Sequence, residues 1–365
     1  MWRLIFVAIG FTLILLVFTN CAHQQESSLT HIPYQPKTVD PPVLLGVPAM
    51  QIPADNPLTE EGIALGRRLF YDPILSKDST ISCGTCHQQT RGFTDGKALS
   101  NGFENRASKR SAMSLVNIGF HNQGLFWDGR AATLEAQAIH PVQDTLEMNL
   151  EWIIAEDRLR QHSEYPILFR KAFGIERKEQ ITKDLVTKAL AQFERTLISK
   201  DSKFDRFKRG EVELTAAEAR GFTIFFDTSA VLPHSECAHC HIDPLFSTLE
   251  YLNNGIQEVQ GLDDFPDKGR GAVTANRYEN GTFKVPTLRN IAQTAPYMHD
   301  GRFKILEEVL DHYISGGHFA ENLNPNVRKL YFSERDKQDL IAFLNTLTDS
   351  VFLQNPAFGN PFYQE

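Results

Sequence analysis

An all-α fold built from two similar domains is what the sequence predicts, and three observations predict it. A Cys-x-x-Cys-His pattern occurs at Cys83–His87 and again at Cys237–His241. A longer string of residues recurs, in the same order, after each of these motifs. Apolar residues elsewhere return at helical spacing, and no run alternates as a strand would.

In each motif the two thiols can bond to the two vinyl groups of one haem, and the adjacent imidazole reaches the iron from the same side. This is the attachment signature of a c-type haem. Cys83, Cys86, Cys237 and Cys240 are therefore read as attachment points for two haem c groups, with His87 and His241 as axial ligands. The two motifs use four of the five cysteines. A zinc site would need both pairs to converge although Cys83 and Cys237 stand 154 positions apart, and two disulfides would leave the histidines unexplained.

The repeat is independent of cysteine. Ser114-Leu115-Val116-Asn117-Ile118 is followed by Trp127-Asp128-Gly129-Arg130 and Leu134-Glu135. After the second motif come Thr287-Leu288-Arg289-Asn290-Ile291, His299-Asp300-Gly301-Arg302 and Leu306-Glu307. A duplicated cytochrome module explains this and places a boundary near residue 200. Two cytochrome c-like domains follow, 49–200 and 201–350, with a tail over 351–365. Trp127 and His299 are then equivalent positions that have diverged.

Leu185, Val186, Ala189, Leu190, Phe193 and Leu197 share the face of a helix that would close the first module. Thr215 and Glu218 form a capping box ahead of Phe222, Phe225 and Phe226. Leu340, Ile341, Phe343, Leu344 and Leu347 mark another helix, started near Ser333. Residues 261–281, rich in glycine, read as a long loop.

Length and charge bound the rest. The 365 residues suffice for two cores, and the net charge of −8 argues against a nucleic-acid partner. Arg3 precedes a 15-residue apolar run, Leu4–Phe18, which has the length of a signal-peptide core and is short for a membrane span. Phe18-Thr19-Asn20-Cys21 resembles a lipoprotein cleavage box, so residues 1–21 are read as a signal peptide and Cys21 as a lipid-bearing membrane tether. Residues 22–48, polar and proline-rich, read as a linking segment, and the expected location is the periplasm.

The sequence resembles the bacterial dihaem cytochrome c peroxidase family, which includes the dihaem enzymes that mature methylamine dehydrogenase by forming tryptophan tryptophylquinone. The matching pieces are CGTCH at 83–87, FWDGRAATLEAQA at 126–138, PVQDTLEMN at 141–149, CAHCH at 237–241, VPTLRNIAQTAPYMHDGR at 285–302 and LEEVLDHY at 306–313. The resemblance implies a peroxide-reactive haem in the first domain, an electron-transfer haem in the second and a tryptophan, Trp127, between them. It also implies that Glu147 is the distal carboxylate that moves a proton between the peroxide oxygens, with Gln137 the distal amide. A solvated loop charge is the alternative for Glu147, and simple aromatic burial for Trp127.

Many family members carry a distal histidine after the first motif. No histidine stands between Gln88 and Phe120 here, and the matching loop reads Asn101-Gly102-Phe103-Glu104. The first iron is thus expected to keep an open face, with His121 a loop histidine rather than a ligand. For the second iron, aligning on LEEVLDHY selects Tyr313, as in the maturation enzymes; Met298 is the alternative ligand, and a core tyrosine the plain reading. The family's calcium site would use the Thr294 and Pro296 carbonyls, but Ser111 stands where the usual asparagine would be.

The leading expectation is an exported peroxidase that reduces hydrogen peroxide to water, with electrons from a small cytochrome c or cupredoxin. The alternatives are a dihaem high-valent oxidase acting on a protein or organic substrate, of the cofactor-maturation type, and a pure dihaem electron carrier.

Overall fold

The computed structural model describes residues 28–363 and is largely helical. The signal-peptide reading, Cys21 and the start of the linking segment lie outside the described residues. Among those described, no helix is long and apolar enough to cross a membrane.

Two helix pairs organise the chain. Helix α1 (Glu60–Tyr71) starts where the Thr59 hydroxyl accepts from Gly62 N. It crosses α6 (Lys183–Glu194), the helix expected from the apolar spacing of 185–197. The crossing is close because Gly66 has no side chain: a Cβ there would strike Ala189 O and press on Phe193. Glycine inside a helix costs about 1 kcal/mol relative to alanine; here it admits the neighbouring backbone. Between these helices lie α2 (Cys83–Cys86), α3 (Leu134–Gln143), α4 (Trp152–Gln161) and α5 (Tyr165–Phe173). Their apolar faces enclose Phe70, Phe93, Tyr165, Phe169 and Phe193.

The second half repeats the device. After α7 (Lys203–Lys208), α8 (Ala216–Phe225) begins with the Thr215–Glu218 capping box. It crosses α12 (Glu334–Asn345), which Ser333 caps. Gly221 plays the part of Gly66, backing onto Asp339 O and Phe343 Cβ. The core is aromatic: Phe204 stacks on Phe226 and meets Phe246 and Phe343 edge-on. Helix α9 (Cys237–Cys240), α10 (Gly271–Thr274) and α11 (Leu306–Ser315) complete this half.

Three features depart from the sequence reading. A two-residue antiparallel pair, β1 (Tyr251–Leu252) with β2 (Phe283–Lys284), is too short to leave an alternating pattern. The 261–281 loop contains α10 and two single 3-10 turns, at Leu262–Asp264 and Arg277–Glu279, anchored by buried Leu262 and Phe265. Among the described residues, the first and last stretches are both packed against the body of the protein. In the segment expected as a linker, Leu29 N donates to Glu176 O at 2.8 Å, Val39 N donates to Leu58 O at 2.9 Å, and Leu44 is buried with Met50, Phe120, Leu245 and Leu249. Residues 351–365, expected as a tail, include most of α13 (Ser350–Gln354). Its Phe352 and Leu353 join the core of the first half, and Arg67 and Tyr71 bond the carbonyls of Gly359 and Phe358 at 2.7 Å. Apolar burial holds these two described stretches where composition alone suggested freedom.

Candidate functional site

Each Cys-x-x-Cys-His motif forms one helical turn that ends on its histidine. Helix α2 is capped from Ser82 and Thr85, and His87 N closes it on Cys83 O at 2.9 Å. His241 N does the same on Cys237 O at 2.9 Å. The imidazoles are held alike: His87 Nδ1 lies 2.9 Å from Phe93 O, and His241 Nδ1 lies 2.9 Å from Phe246 O. Phe93 and Phe246 both adopt positive φ, at 60° and 52°, which turns those carbonyls toward the rings. A carbonyl accepts from an N–H, so Nδ1 carries the proton and Nε2 is left as the metal-binding nitrogen. Burial lowers both imidazole pKa values, keeping them neutral and ligand-ready.

The residues fit a covalently held haem at each motif. All four thiols are free of disulfides. Burial pushes Cys86 up to about 11 and Cys237 up to about 12, so without a bound group these are neutral thiols. Among the described residues, the only close grouping of metal-ligating side chains is Asp227, Glu236 and His239. The two cysteine pairs therefore do not converge on one ion.

Glu147 stands on the turn after α3. Asp144 O receives Glu147 N at 3.0 Å, and Phe103 N donates to Glu147 O at 2.7 Å, which ties the turn to the 101–104 loop. Gly102 permits that approach, since a Cβ there would collide with Leu146 O and Glu147 Cα. Burial, reinforced by Asp144 and opposed by Arg130, raises the Glu147 carboxyl to about 7. The side chain itself is half-buried. Gln137 lies half-buried on α3.

Trp127 and His299, divergent equivalents in the repeat, meet where the two halves join. Their rings are 6.5 Å apart and edge-on, and His299 stacks on Phe283 at 3.7 Å. Trp127 Nε1 donates to Ser111 O at 3.0 Å, while Ser111 N and Oγ donate to His299 O and Met298 O at 2.8 Å each. Arg110 binds Asp128 and both Asp267 oxygens at 2.7 Å, stitching the halves together beside the indole. Such a partly buried network fixes orientation more than it adds stability.

Tyr313 and Met298 are brought together rather than separated. Asn254 Nδ2 lies 3.3 Å from Tyr313 Oη and 3.5 Å from Met298 Sδ. Burial raises the Tyr313 phenol to about 12, with Cys237 and Cys240 near enough to add to the shift. Asn254 carries no motif and was not singled out in the sequence. Among the described residues, no hydrogen bond reaches the carbonyls of Thr294 or Pro296, whereas the Ser111 hydroxyl is engaged by Met298 O. His121 lies in a loop and is buried; among the described residues neither ring nitrogen has a partner, and burial with the nearby Lys284 drives it down to about 3.

Residues 60–213 match the family described as di-haem cytochrome c peroxidase. The methylamine utilization protein MauG of Methylorubrum extorquens is 40% identical over 301 residues, which span 81% of this chain and 80% of the relative. Cytochrome c551 peroxidase of Nitrosomonas europaea is 34% identical over 302 residues, spanning 82% of this chain and 84% of that protein. A solved structure of a MauG-like protein associated with microbial copper homeostasis is similar, with a TM-score of 0.80 and 34% identity over 88% of this chain and 99% of the other.

Proposed function

The chain belongs to the di-haem cytochrome c peroxidase family, whose members are oxidoreductases that act on peroxide, and from that premise we propose an exported, periplasmic dihaem peroxidase. It reduces hydrogen peroxide to water at the His87 site, with electrons entering through the His241 site from a small cytochrome c or cupredoxin. Domains 49–200 and 201–350 each hold one haem c, through Cys83, Cys86 and His87 and through Cys237, Cys240 and His241. Lipid on Cys21 tethers the protein to the membrane. The haems supply electron transfer and, where one iron face is open, activation of peroxide.

The protein's own groups do the rest. Glu147 accepts the proton of the inner peroxide oxygen and returns it to the outer one, so that water can leave. Its carboxyl, raised to about 7 by burial, is poised for both directions of transfer. The observation that carries the reading is the pair of Cys-x-x-Cys-His turns, each with its imidazole Nδ1 2.9 Å from a backbone carbonyl so that Nε2 is free for a metal. Gln137 orients the peroxide with its amide. Trp127, fixed by its bond to Ser111 O at 3.0 Å, relays the electron between the halves. No histidine from Gln88 to Phe120 is available to close the iron face, and Phe103 is buried in that loop instead. Steady-state oxidation of reduced cytochrome c by peroxide tests the function. Absence of turnover, with both irons six-coordinate by electron paramagnetic resonance, would leave only an electron carrier.

A second reading draws the electrons from a protein or organic substrate, as in cofactor maturation. Tyr313 as ligand of the second iron would favour it, because a phenolate stabilises oxidised iron, although Asn254 Nδ2 reaches both Tyr313 Oη and Met298 Sδ. Met298, sharing the same amide, is the ligand of the ordinary peroxidase reading. Calcium enters as a structural ion held by the Thr294 and Pro296 carbonyls. Ser111, a neutral donor already bonded to Met298 O, adds little to it. A chelator that alters neither spectra nor turnover would remove calcium from this account.

A further inference from the structure

The repeat can be read at atomic register. Gly66 packs on Ala189 O and Phe193 Cβ, and Gly221 packs on Asp339 O and Phe343 Cβ. Thr196 bonds Phe193 O through N and Oγ at 2.9 and 2.7 Å, and Thr346 bonds Phe343 O in the same way at 2.8 and 2.6 Å. Asn117 N reaches Leu197 O at 2.9 Å, and Asn290 N reaches Leu347 O at 3.0 Å. Phe193-Glu194-Arg195-Thr196-Leu197 thus superposes in role on Phe343-Leu344-Asn345-Thr346-Leu347. Glu194 and Leu344 occupy the same place, and each is 6% exposed.

Leu344 behaves as the position demands and packs into the second core. Glu194 does not. Its Oε2 is buried with no hydrogen-bond partner among the described residues. The neighbouring Arg195 turns away to hold Glu135 at 2.7 and 3.1 Å. A buried polar atom left unpaired costs about 1–3 kcal/mol, which leucine would avoid. Glu194 belongs to the surroundings of the first attachment site: the ring of adjacent Phe193 lies 5.2 Å from Phe70, whose ring lies 6.4 Å from His87, and after burial Glu194 is the largest influence raising the Cys83 thiol, on which Glu147 also acts. Two carboxyls therefore flank Cys83, and the one on α6 has no counterpart in the second half.

Resting on the reading that Cys83 and Cys86 carry a haem, we propose that Glu194 is a proton-holding residue of the first site. It keeps its proton when the site is reduced and releases it to water when the site gives up an electron. On re-reduction the carboxylate takes a proton back, so one proton follows one electron and no bond other than the carboxyl O–H is made or broken. The physical basis is charge: burial raises the carboxyl to about 8 before any metal charge is counted, and an added positive charge nearby lowers it. The groups that bear on it are Arg195 on its own helix, Glu135 on α3 and Cys83 on α2, with Glu147 facing the same thiol. Glu194 positions charge and need not touch peroxide.

The experiment is a redox titration of the full haem-loaded protein at a series of pH values, with infrared difference spectra of oxidised and reduced forms. In the wild type the midpoint potential of the first haem falls as pH rises, and a protonated-carboxyl band changes with redox state. In Glu194→Gln the band is absent and the potential loses that dependence, while the second haem is unchanged. Glu194→Leu, which installs the residue the second half already packs at this place, guards against misfolding and gives the same flattening. Wild-type pH dependence retained in both variants overturns the proposal. Neither readout needs turnover, so a missing peroxidase activity would sink the proposed function without touching this one.

Discussion

Replacing Phe352 by alanine tests whether the last residues are part of the first site's support. The ring is 2% exposed and lies 5.7 Å from Phe93 and 5.4 Å from Phe358, centroid to centroid. Truncating a buried phenylalanine costs about 3–5 kcal/mol. In a module of this size each kcal/mol moves Tm by about 2–4 °C, so the first half should melt roughly 6–20 °C lower. The loss should reach the metal site as well, because Phe93 O holds His87 Nδ1 at 2.9 Å. Thermal unfolding of the haem-loaded protein, followed by circular dichroism and by the absorbance of each haem, reads both effects. The first haem should lose its native spectrum before the second. A fall of less than about 2 °C, or a second haem released first, would refute the idea that the chain end is built into the first core.

Further expectations concern the site itself. Glu147 carries its proton below about 7 and can act as base only above it, so kcat/KM for peroxide should rise with pH through that value. Glu147→Gln should remove the rise and slow turnover by about 10²–10⁴-fold with both haems retained. Gly102→Ala would drive a methyl into Leu146 O and Glu147 Cα. The displaced carboxyl should cost roughly 100-fold in turnover while the melting of the second half stays as it was. Tyr313→Phe should change the ferric spectrum of the second haem and Met298→Ala should not; a sulfur charge-transfer band lost in Met298→Ala would reverse the ligand choice.

Much of this architecture was legible because its causes are local. A Cys-x-x-Cys-His turn closes on itself, and the Thr215–Glu218 and Ser333 caps are written in consecutive residues. Helices α6 and α12 announced themselves by apolar spacing, since burial of one face is what stabilises them. The parts that escaped depend on distant partners. Leu44 and Phe352 are ordinary apolar residues with no helical or strand periodicity around them until the structure supplies the surfaces they cover. Asn254 matters through partners far along the chain: its amide meets Tyr313 and Met298, and its carbonyl meets His312. Glu194 was within reach: aligning Phe193–Leu197 with Phe343–Leu347 sets a carboxyl opposite a leucine, but its burial and lack of a partner are three-dimensional facts.

The placement of α13 in the first core also sets which half can be finished first. Domains ordinarily complete themselves in order from the amino end. Here the amino-terminal half lacks Phe352 and Leu353 until the stretch beyond the second half has folded back, whereas the second half holds its whole aromatic centre within residues 204–347. The amino-terminal half is thus completed after its neighbour, and a polypeptide cut short before residue 350 would leave the first core unfilled.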